Sequence, residues 1–291
     1  MKTNKPLVSI VTPSFNQGRF IEDTILSVKN QDYPNIEHII VDGGSTDNTL
    51  EILKKYEGTY NMRWISEPDE GQSDAVNKGF RMAKGEIIGW LNSDDVYFTK
   101  DVISYVVQQF EKSPNVDVLY GDHVVINENN LILKVGHKIP WFSYDRLLRV
   151  DFINQPATFF RKSVIRKHKL DINIHLPMDY EYLLRIAKDG FRFKHVKKVL
   201  AANRRHATAK TWSRWEEMKR ETKKVQERYG QKFDTQYYLL RLLDNAFFAL
   251  LKVYGVKTIV KLYSNPEEQN LAFPAKFDTL PKAILRQLFY I

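Results

Sequence analysis

The stretch Glu86-Ile87-Ile88-Gly89-Trp90-Leu91, followed at once by Asn92-Ser93-Asp94-Asp95, decides the fold. A short, nearly continuous apolar run reads as a strand covered on both faces, the habit of strands in parallel sheets. Carboxylates at the carboxyl end of such a strand project into the crevice where open α/β sheets bind ligands, and adjacent acids there suit a divalent cation. Taken alone, an Asp-Asp pair is more simply an acidic turn or helix cap before Val96-Tyr97-Phe98, because aspartate makes turn hydrogen bonds of its own. The neighbouring segments weigh against that simpler reading.

Three upstream segments share the design of strand and then polar loop. Leu7-Val8-Ser9-Ile10-Val11 runs into Thr12-Pro13-Ser14-Phe15-Asn16-Gln17-Gly18, and Ile36-Glu37-His38-Ile39-Ile40-Val41 into Asp42-Gly43-Gly44-Ser45-Thr46-Asp47. Met62-Arg63-Trp64-Ile65 leads to Glu67-Pro68-Asp69-Glu70-Gly71-Gln72-Ser73-Asp74. Helical patterns follow, with Ile21, Ile25 and Val28 on one face of the first and Ala75, Val76, Gly79, Phe80 and Ala83 on that of a later one. Strands alternating with helices predict a mostly parallel sheet whose carboxyl edge gathers these polar loops. Later strand candidates are Ala157-Thr158-Phe159-Phe160 and Phe193-Lys194-His195-Val196, and beyond about Thr211 the periodicity is helical throughout.

Pro13-Ser14-Phe15-Asn16, the Val41 to Asp47 loop, the Glu70-Gly71-Gln72 to Asn77-Lys78-Gly79 stretch and Asn92-Ser93-Asp94-Asp95 resemble family 2 glycosyltransferases in order and spacing. Met178-Asp179-Tyr180-Glu181-Tyr182-Leu183-Leu184-Arg185 resembles the acidic motif that supplies the base in that family. Each piece is weak alone, and five in order are specific. The resemblance implies a GT-A type fold, a Rossmann-like α/β/α sandwich with a mixed, mostly parallel sheet and a helical C-terminal extension. It divides the chain into a catalytic domain over 1–210, with a nucleotide-binding half at about 1–101 and an acceptor half at about 102–210, and an extension over 211–291.

The activity so implied is inverting transfer of a sugar from a nucleoside-diphosphate donor, with a UDP-sugar favoured, to a hydroxyl of a glycan or lipid-linked acceptor in surface polysaccharide or glycoconjugate synthesis. Donor contacts are expected from Pro13, Ser14, Asn16, Asp42, Gly71, Gln72, Asp74, Asn77, Asn92, Ser93 and Asp94. Mg²⁺ or Mn²⁺ is expected on Asp94 with Asp95 and His206, since a departing diphosphate suits a hard cation with oxygen ligands. Asp179 is the expected general base. Simpler roles stand beside these: a turn or cap for Asp42, a first-turn acid for Asp74, an N-cap for Asp179 and a surface site for His206. The sequence departs from the family's pattern at Asn92, where many relatives have an aspartate. Trp212-Ser213-Arg214-Trp215 is similar to a motif of processive synthases, but Thr211 stands where they carry glutamine, which favours non-processive transfer.

Composition narrows the rest. With 291 residues, 43% of them hydrophobic, the chain can bury one substantial core. The absence of cysteine excludes disulfides, thiolate metal sites and a cysteine nucleophile. Met1-Lys2-Thr3-Asn4-Lys5-Pro6 has no apolar core of a secretory signal, so the expected location is the cytoplasm, at the inner face of the cell membrane if the tail binds lipid. A net charge of +9 favours polyanionic partners such as nucleoside diphosphates, anionic lipid or nucleic acid, of which nucleic acid is not expected here. Residues 237–291 have two readings: Leu239, Leu243, Phe247, Leu250 and Leu251 pack on the core, or Phe247, Phe248 and Tyr254 with Lys252, Lys257 and Lys261 rest on a bilayer. Lys282, Arg286 and Leu288-Phe289-Tyr290-Ile291 repeat that mixture. Arg241, Asp244, Lys252 and Lys257 interrupt the run too often for a spanning helix. Trp141 and Phe142 suit either stacking on a sugar or the core. Competing functions are a sugar nucleotidyltransferase, which lacks its basic glycine-rich loop here, an inactive donor-binding homologue, and a basic nucleic-acid module over Arg192 to Arg228.

Overall fold

A computed structural model of the chain describes residues 5–136, 141–264, 269–277 and 279–289. Met1 to Asn4, Tyr290 and Ile291 lie outside the described residues, as do the side chains of Thr211, Trp212, Tyr254 and Phe289. The apolar runs of the N-terminal half form β1 (Val8–Ser14), β2 (Ile36–Asp42), β3 (Met62–Ser66) and β4 (Ile87–Trp90). They pair in parallel, with Val8 opposite both Ile36 and Ile87 and His38 opposite Met62. The crossovers are α1 (Ile21–Lys29), α2 (Thr49–Tyr56) and α3 (Gln72–Met82). Helix α3 presses close on β1 because Gly79 has no side chain; a Cβ there would lie 2.2 Å from Val11 Cγ1.

The second half extends the same sheet. After β5 (Val96–Tyr97) and α4 (Val102–Glu111) come β6 (Val118–Asn127) and β7 (Ile132–Gly136). Next are α5 (Tyr144–Arg149), β8 (Thr158–Arg161), α6 (Lys162–Lys167), α7 (Met178–Lys188) and β9 (Phe193–Arg205). The strand order is β3-β2-β1-β4-β8-β6-β9-β5, with β7 on the edge of β6. Strand β8 is antiparallel to both β4 and β6, and β9 is parallel to β6, so β6 and β9 run the same way as β1 to β4. The sheet is therefore mixed but mostly parallel, as expected. Strands β6 and β7 are additions to that expectation. Gly121, Asp122 and His123 interrupt the apolar pattern of β6 where its register to β9 shifts, and Asp122 is satisfied there by His195 Nε2 at 3.0 Å.

Apolar layers cover both faces. On one face Val11, Trp90 and Phe160 pack with Val76 of α3 and Tyr182 of α7, and on the other Ile10 and Phe159 pack with Val28 of α1 and Val106 and Phe110 of α4. Among the described residues four helices follow: α8 (Lys210–Ser213), α9 (Trp215–Arg228), α10 (Thr235–Ser264) and α11 (Leu280–Phe289). Ile259, Leu262 and Ala283 pack with Val124, Ile126, Ile132 and Val135 of β6 and β7. Gln287 locks this contact, accepting from the Val135 N–H at 2.6 Å and donating to the Val135 carbonyl at 2.9 Å. Asp244, buried, accepts from Arg146 Nε at 2.9 Å and Arg149 Nε at 3.1 Å, which ties α10 to α5. Among the described residues no helix is long and apolar enough to cross a membrane. Phe142 stacks on Phe193 with ring centres 4.2 Å apart and belongs to the core, while Trp141 lies against Phe247; neither lines the cleft described next.

Candidate active site

The carboxyl ends of β1 and β4 and the start of α3 open on a cleft of about 1280 Å³. Pro13, Ser14 and Asn16 form one wall, and Asn16 takes a left-handed backbone (φ 52°). Its N–H donates to Ser45 Oγ at 2.7 Å and its Oδ1 accepts from the Thr46 N–H at 2.9 Å. Asp42 stands behind this turn. Its fully buried carboxylate accepts from the Gly44 and Ser45 N–H groups and from the Ser45 and Ser66 hydroxyls. The loop's conformation thus rests on Asp42, which does not itself line the cleft.

Asn92, Ser93 and Asp94 form the floor. Asn92 is held on all sides: Oδ1 accepts from Trp90 Nε1 and Gln72 Nε2, both at 2.9 Å, and Nδ2 donates to Gln155 Oε1 at 3.0 Å. An amide replaces an acid here because the position sits in a network that uses both donor and acceptor. Asp94 reaches the cleft, with Oδ2 3.0 Å from His206 Nε2, while His206 Nδ1 is 2.8 Å from Thr208 Oγ1. Asp95 lies deeper in the same lining. It is buried, accepts from the Arg204 N–H at 2.9 Å, and its proton affinity is pushed well up by burial and by the Asp94 charge. Arg204, buried beneath, donates to the Asp94 carbonyl at 2.8 Å and to Asp23 at 3.0 Å.

Asp94 and His206 fit a hard divalent ion that takes its remaining ligands from phosphate oxygens, a mode common for Mg²⁺. Among the described residues no group of three or more such side chains is arranged to hold a metal. Asp95 lies in the same lining, buried beside Asp94 and accepting from the Arg204 N–H. The lining carries further polar groups without protein partners: Ser14 Oγ, Gln17 Oε1, Asn154 Oδ1 and Asn203 Oδ1 are buried and unsatisfied. Buried polar atoms are rarely left so, and each of these calls for a partner that the chain itself does not supply.

Gly71, with φ 105°, opens α3 and places Gln72 in the cleft. Lys210 at the start of α8 donates to Gln72 Oε1 at 3.1 Å, and burial lowers its proton affinity against the pull of Asp69 and Asp94. Asp69, Gln155 and Lys210 line the cleft without having been singled out by sequence motifs. In the sequence Lys210 is one cation in a late basic run, and only the fold carries it to this edge. Asp179 lies across the cleft in the first turn of α7. Its Oδ1 accepts from the Tyr180 N–H at 2.9 Å, so it satisfies a first-turn donor of α7 as well as lining the cleft, and burial, outweighing that hydrogen bond, raises the affinity of the carboxylate for a proton.

Two other expected donor residues are not in the lining. Asp74 pairs with Lys78 at 3.3 Å, and Asn77, buried, exchanges hydrogen bonds with the Leu170 backbone at 2.9 and 3.0 Å. Both sit on α3 and are spent on its own surroundings.

Comparison with known proteins agrees with this geometry. The sequence model of the family described as "Glycosyl transferase family 2" matches residues 9–172. The chain is similar to a chondroitin synthase of Pasteurella multocida (strain Pm70), 32% identical over 199 residues that make up 67% of this chain and 20% of that protein. It therefore spans about a fifth of that synthase's length. It is also similar to the putative teichuronic acid biosynthesis glycosyltransferase TuaG of Bacillus subtilis (strain 168), 28% identical over 74% of this chain and 90% of that one. Among solved structures, the mannosyltransferase PcManGT from Pyrobaculum calidifontis, in complex with GDP-Man and Mn²⁺, superimposes with a TM-score of 0.61 at 18% identity, covering 97% of this chain and 79% of that one. S. aureus TarS 1-349 in complex with UDP-GlcNAc gives 0.55 at 15% identity, covering 98% and 91%. These structural likenesses establish the GT-A architecture, and the sequence matches place the chain in a family: it belongs to glycosyl transferase family 2.

Proposed function

We propose that this chain moves a sugar from a nucleoside-diphosphate donor to an acceptor hydroxyl with inversion, in the synthesis of a surface polysaccharide or related glycoconjugate. One observation carries the reading: Asp94 and Asp179 face a single cleft whose wall also holds Ser14, Gln17, Asn154 and Asn203 atoms with no partner. The nucleotide would lie along Pro13 to Asn16 and Asp69, and the diphosphate between Asp94, His206 and Lys210. A UDP-sugar is the favoured donor. Structural neighbours solved with UDP, UDP-GlcNAc and GDP-Man support a nucleotide-sugar donor in general. The named polysaccharide synthases among the relatives support the biosynthetic setting.

Mg²⁺ or Mn²⁺ held by Asp94 and His206 would supply charge neutralisation for the departing diphosphate. The residues of the chain do the rest. Lys210 adds a cation to the same anion, Gln72 and Asn92 fix the floor, and Asp179 takes the proton of the acceptor hydroxyl. As that oxygen bonds to the anomeric carbon, the bond to the diphosphate breaks and the diphosphate leaves with the electron pair. A single displacement with one base inverts the centre. The division into a catalytic domain over 1–210 and an extension over 211–291 is part of this reading.

The test is a panel of UDP- and GDP-sugars assayed for release of nucleoside diphosphate with Mn²⁺. A UDP-sugar should be turned over, EDTA should stop turnover, and Asp94→Asn should remove it, since one charge is lost where diphosphate charge develops. Full activity in EDTA and in the variant would sink the metal assignment, and no turnover of any donor would sink the reading as a whole.

A further inference from the structure

The cleft continues outward past Asp179, between α9 and the start of α10. Trp215, Lys219, Lys223, Tyr238 and Arg241 line this part. Aromatic faces and cations are interleaved there: Lys219 Nζ lies 5.9 Å from the Trp215 ring centre, and Lys223 Nζ 5.0 Å from that of Phe233. The exposed pairs of Lys219 with Glu216 (2.7 Å) and of Lys223 with Glu227 (4.0 Å) are weak and open to exchange, and Arg241 donates to the Arg149 carbonyl at 3.1 Å. Aromatic faces offer flat apolar surface to a sugar ring, and ammonium and guanidinium groups pair with phosphate. The outer cleft therefore suits a glycan that carries a phosphate.

Helix α10 extends this chemistry beyond the cleft. Its apolar residues run all round the helix, a pattern that belongs to helices covered on every side. Inward, Phe247, Phe248, Leu251, Ile259 and Leu262 pack on the core. Outward, Leu239, Leu242, Leu243, Leu250, Val253 and Val260 recur on one side of a 3.6-residue helix and stay exposed, Leu242 and Leu250 each at 65%. Lys257 and Lys261 share that side and are exposed too. This stripe is about 30 Å long at 1.5 Å per residue. Tyr238, 63% exposed, belongs both to the cleft and to the start of the stripe. An exposed apolar stripe beside lysines, on a helix that does not span, fits the boundary of an anionic bilayer.

The geometry points to an amphipathic acceptor, a sugar joined through phosphate to an apolar tail, presented from an anionic bilayer on which the outward side of α10 lies. The sugar hydroxyl would face Asp179, the phosphate would meet Lys219, Lys223 and Arg241, and the tail would leave past Tyr238 along the leucines. This inference rests on the glycosyltransferase reading above and adds the class of acceptor.

The test begins with sedimentation of the full chain with phosphatidylcholine vesicles, alone or mixed with phosphatidylglycerol. The chain should pellet with the mixed vesicles and bind neutral ones roughly tenfold more weakly or worse. Leu242→Glu with Leu250→Glu should abolish pelleting, and Lys257→Glu with Lys261→Glu should remove the preference for anionic lipid. Both pairs should keep their circular dichroism and their affinity for nucleoside diphosphate. In calorimetry, octyl phosphate should bind the chain and bind Arg241→Ala more weakly. No vesicle binding, binding indifferent to the leucine pair, or no uptake of octyl phosphate would each overturn the inference. So would a concentration-dependent dimer that the leucine pair dissolves in the absence of lipid binding, which would give the stripe to a second copy. Failure of the unmodified chain to bind nucleoside diphosphate while still pelleting would strike the donor reading instead, so the two failures are separable.

Discussion

Asp179 occupies the first turn of α7 with its carboxylate recessed at the cleft, and burial raises its proton affinity. A base works better as its pKa approaches the working pH, so this shift suits the assigned role. Asp179→Asn keeps the shape but cannot take a proton. It should bind nucleoside diphosphate with unchanged affinity and transfer sugar about 10² to 10⁴ times more slowly. The carboxylate must be unprotonated to act, so wild-type transfer should fall with decreasing pH, with a midpoint above the ordinary carboxylate value of about 3.9. Stability should move the other way: the native state holds this proton more tightly than the unfolded chain, so the group's contribution declines as pH rises from about 3.9 through the raised value. Transfer rates and product configuration by NMR, measured against pH, decide the matter. Near-wild-type transfer by the variant, or retention at the anomeric centre, would remove Asp179 from the role. At this scale residue type and motif order pointed to Asn92, Asp94, Asp179 and His206, which the fold brings into the lining of one cleft. They could not separate Asp42, Asp74 and Asn77, whose hydrogen-bonding capacity is consumed by Ser45 and Ser66, by Lys78 and by Leu170. What distinguishes the two groups is which neighbours the fold delivers.

Between elements, the clearest dependence is that of α5 on α10. Asp244 reads in sequence as a charge that interrupts an apolar run; in the structure it is buried between the guanidiniums of Arg146 and Arg149. Asp244→Ala would leave two cations facing each other behind the cleft, to whose lining Arg149 itself contributes. Breaking a fully buried pair costs about 3–5 kcal/mol, and the partial exposure of both arginines lowers the expectation here to about 2–4 kcal/mol. Urea unfolding of the variant beside wild type measures this, and a loss below about 1 kcal/mol would show that α10 is not anchored through Asp244. The strands β1 to β4 were legible because each is an unbroken apolar run ending in polar residues. Strand β6 was not, since Gly121, Asp122 and His123 break its pattern where a register shift and the His195 partner accommodate them. For α10 the sequence assigned the faces wrongly: of the residues expected to pack, Phe247 and Leu251 do, but Leu239, Leu243 and Leu250 are exposed, and Phe248, expected on a bilayer, packs on the core beside Phe247.

On the scale of the whole molecule, the cleft joins segments far apart in the chain. Lys210 meets Gln72 across 138 positions, and His206 meets Asp94 across 112. No fragment of the chain carries this set, so a ligand that uses it binds the folded state and not the unfolded one, and must raise the melting temperature. A nucleoside diphosphate with Mn²⁺ at about a hundred times its dissociation constant should contribute about 2.7 kcal/mol. For a chain of this size that is a rise of roughly 5 °C, at roughly 2 °C per kcal/mol. EDTA should remove most of the rise, and Asp94→Asn should do the same without metal chelation, because the diphosphate then faces Asn where a charged ligand stood. Asp179→Asn should keep the full rise, since the acceptor proton plays no part in holding the donor. Differential scanning of the three proteins separates the assignments. Equal shifts in all three would mean that Asp94 does not help to hold the donor, and a shift lost in Asp179→Asn but kept in Asp94→Asn would exchange the roles given to the two carboxylates. Their surroundings argue against that exchange: Asp94 is paired with His206 beyond the ends of β4 and β9, a pair suited to a cation, whereas Asp179 lies on α7 in the same lining with burial raising its proton affinity, as a base requires.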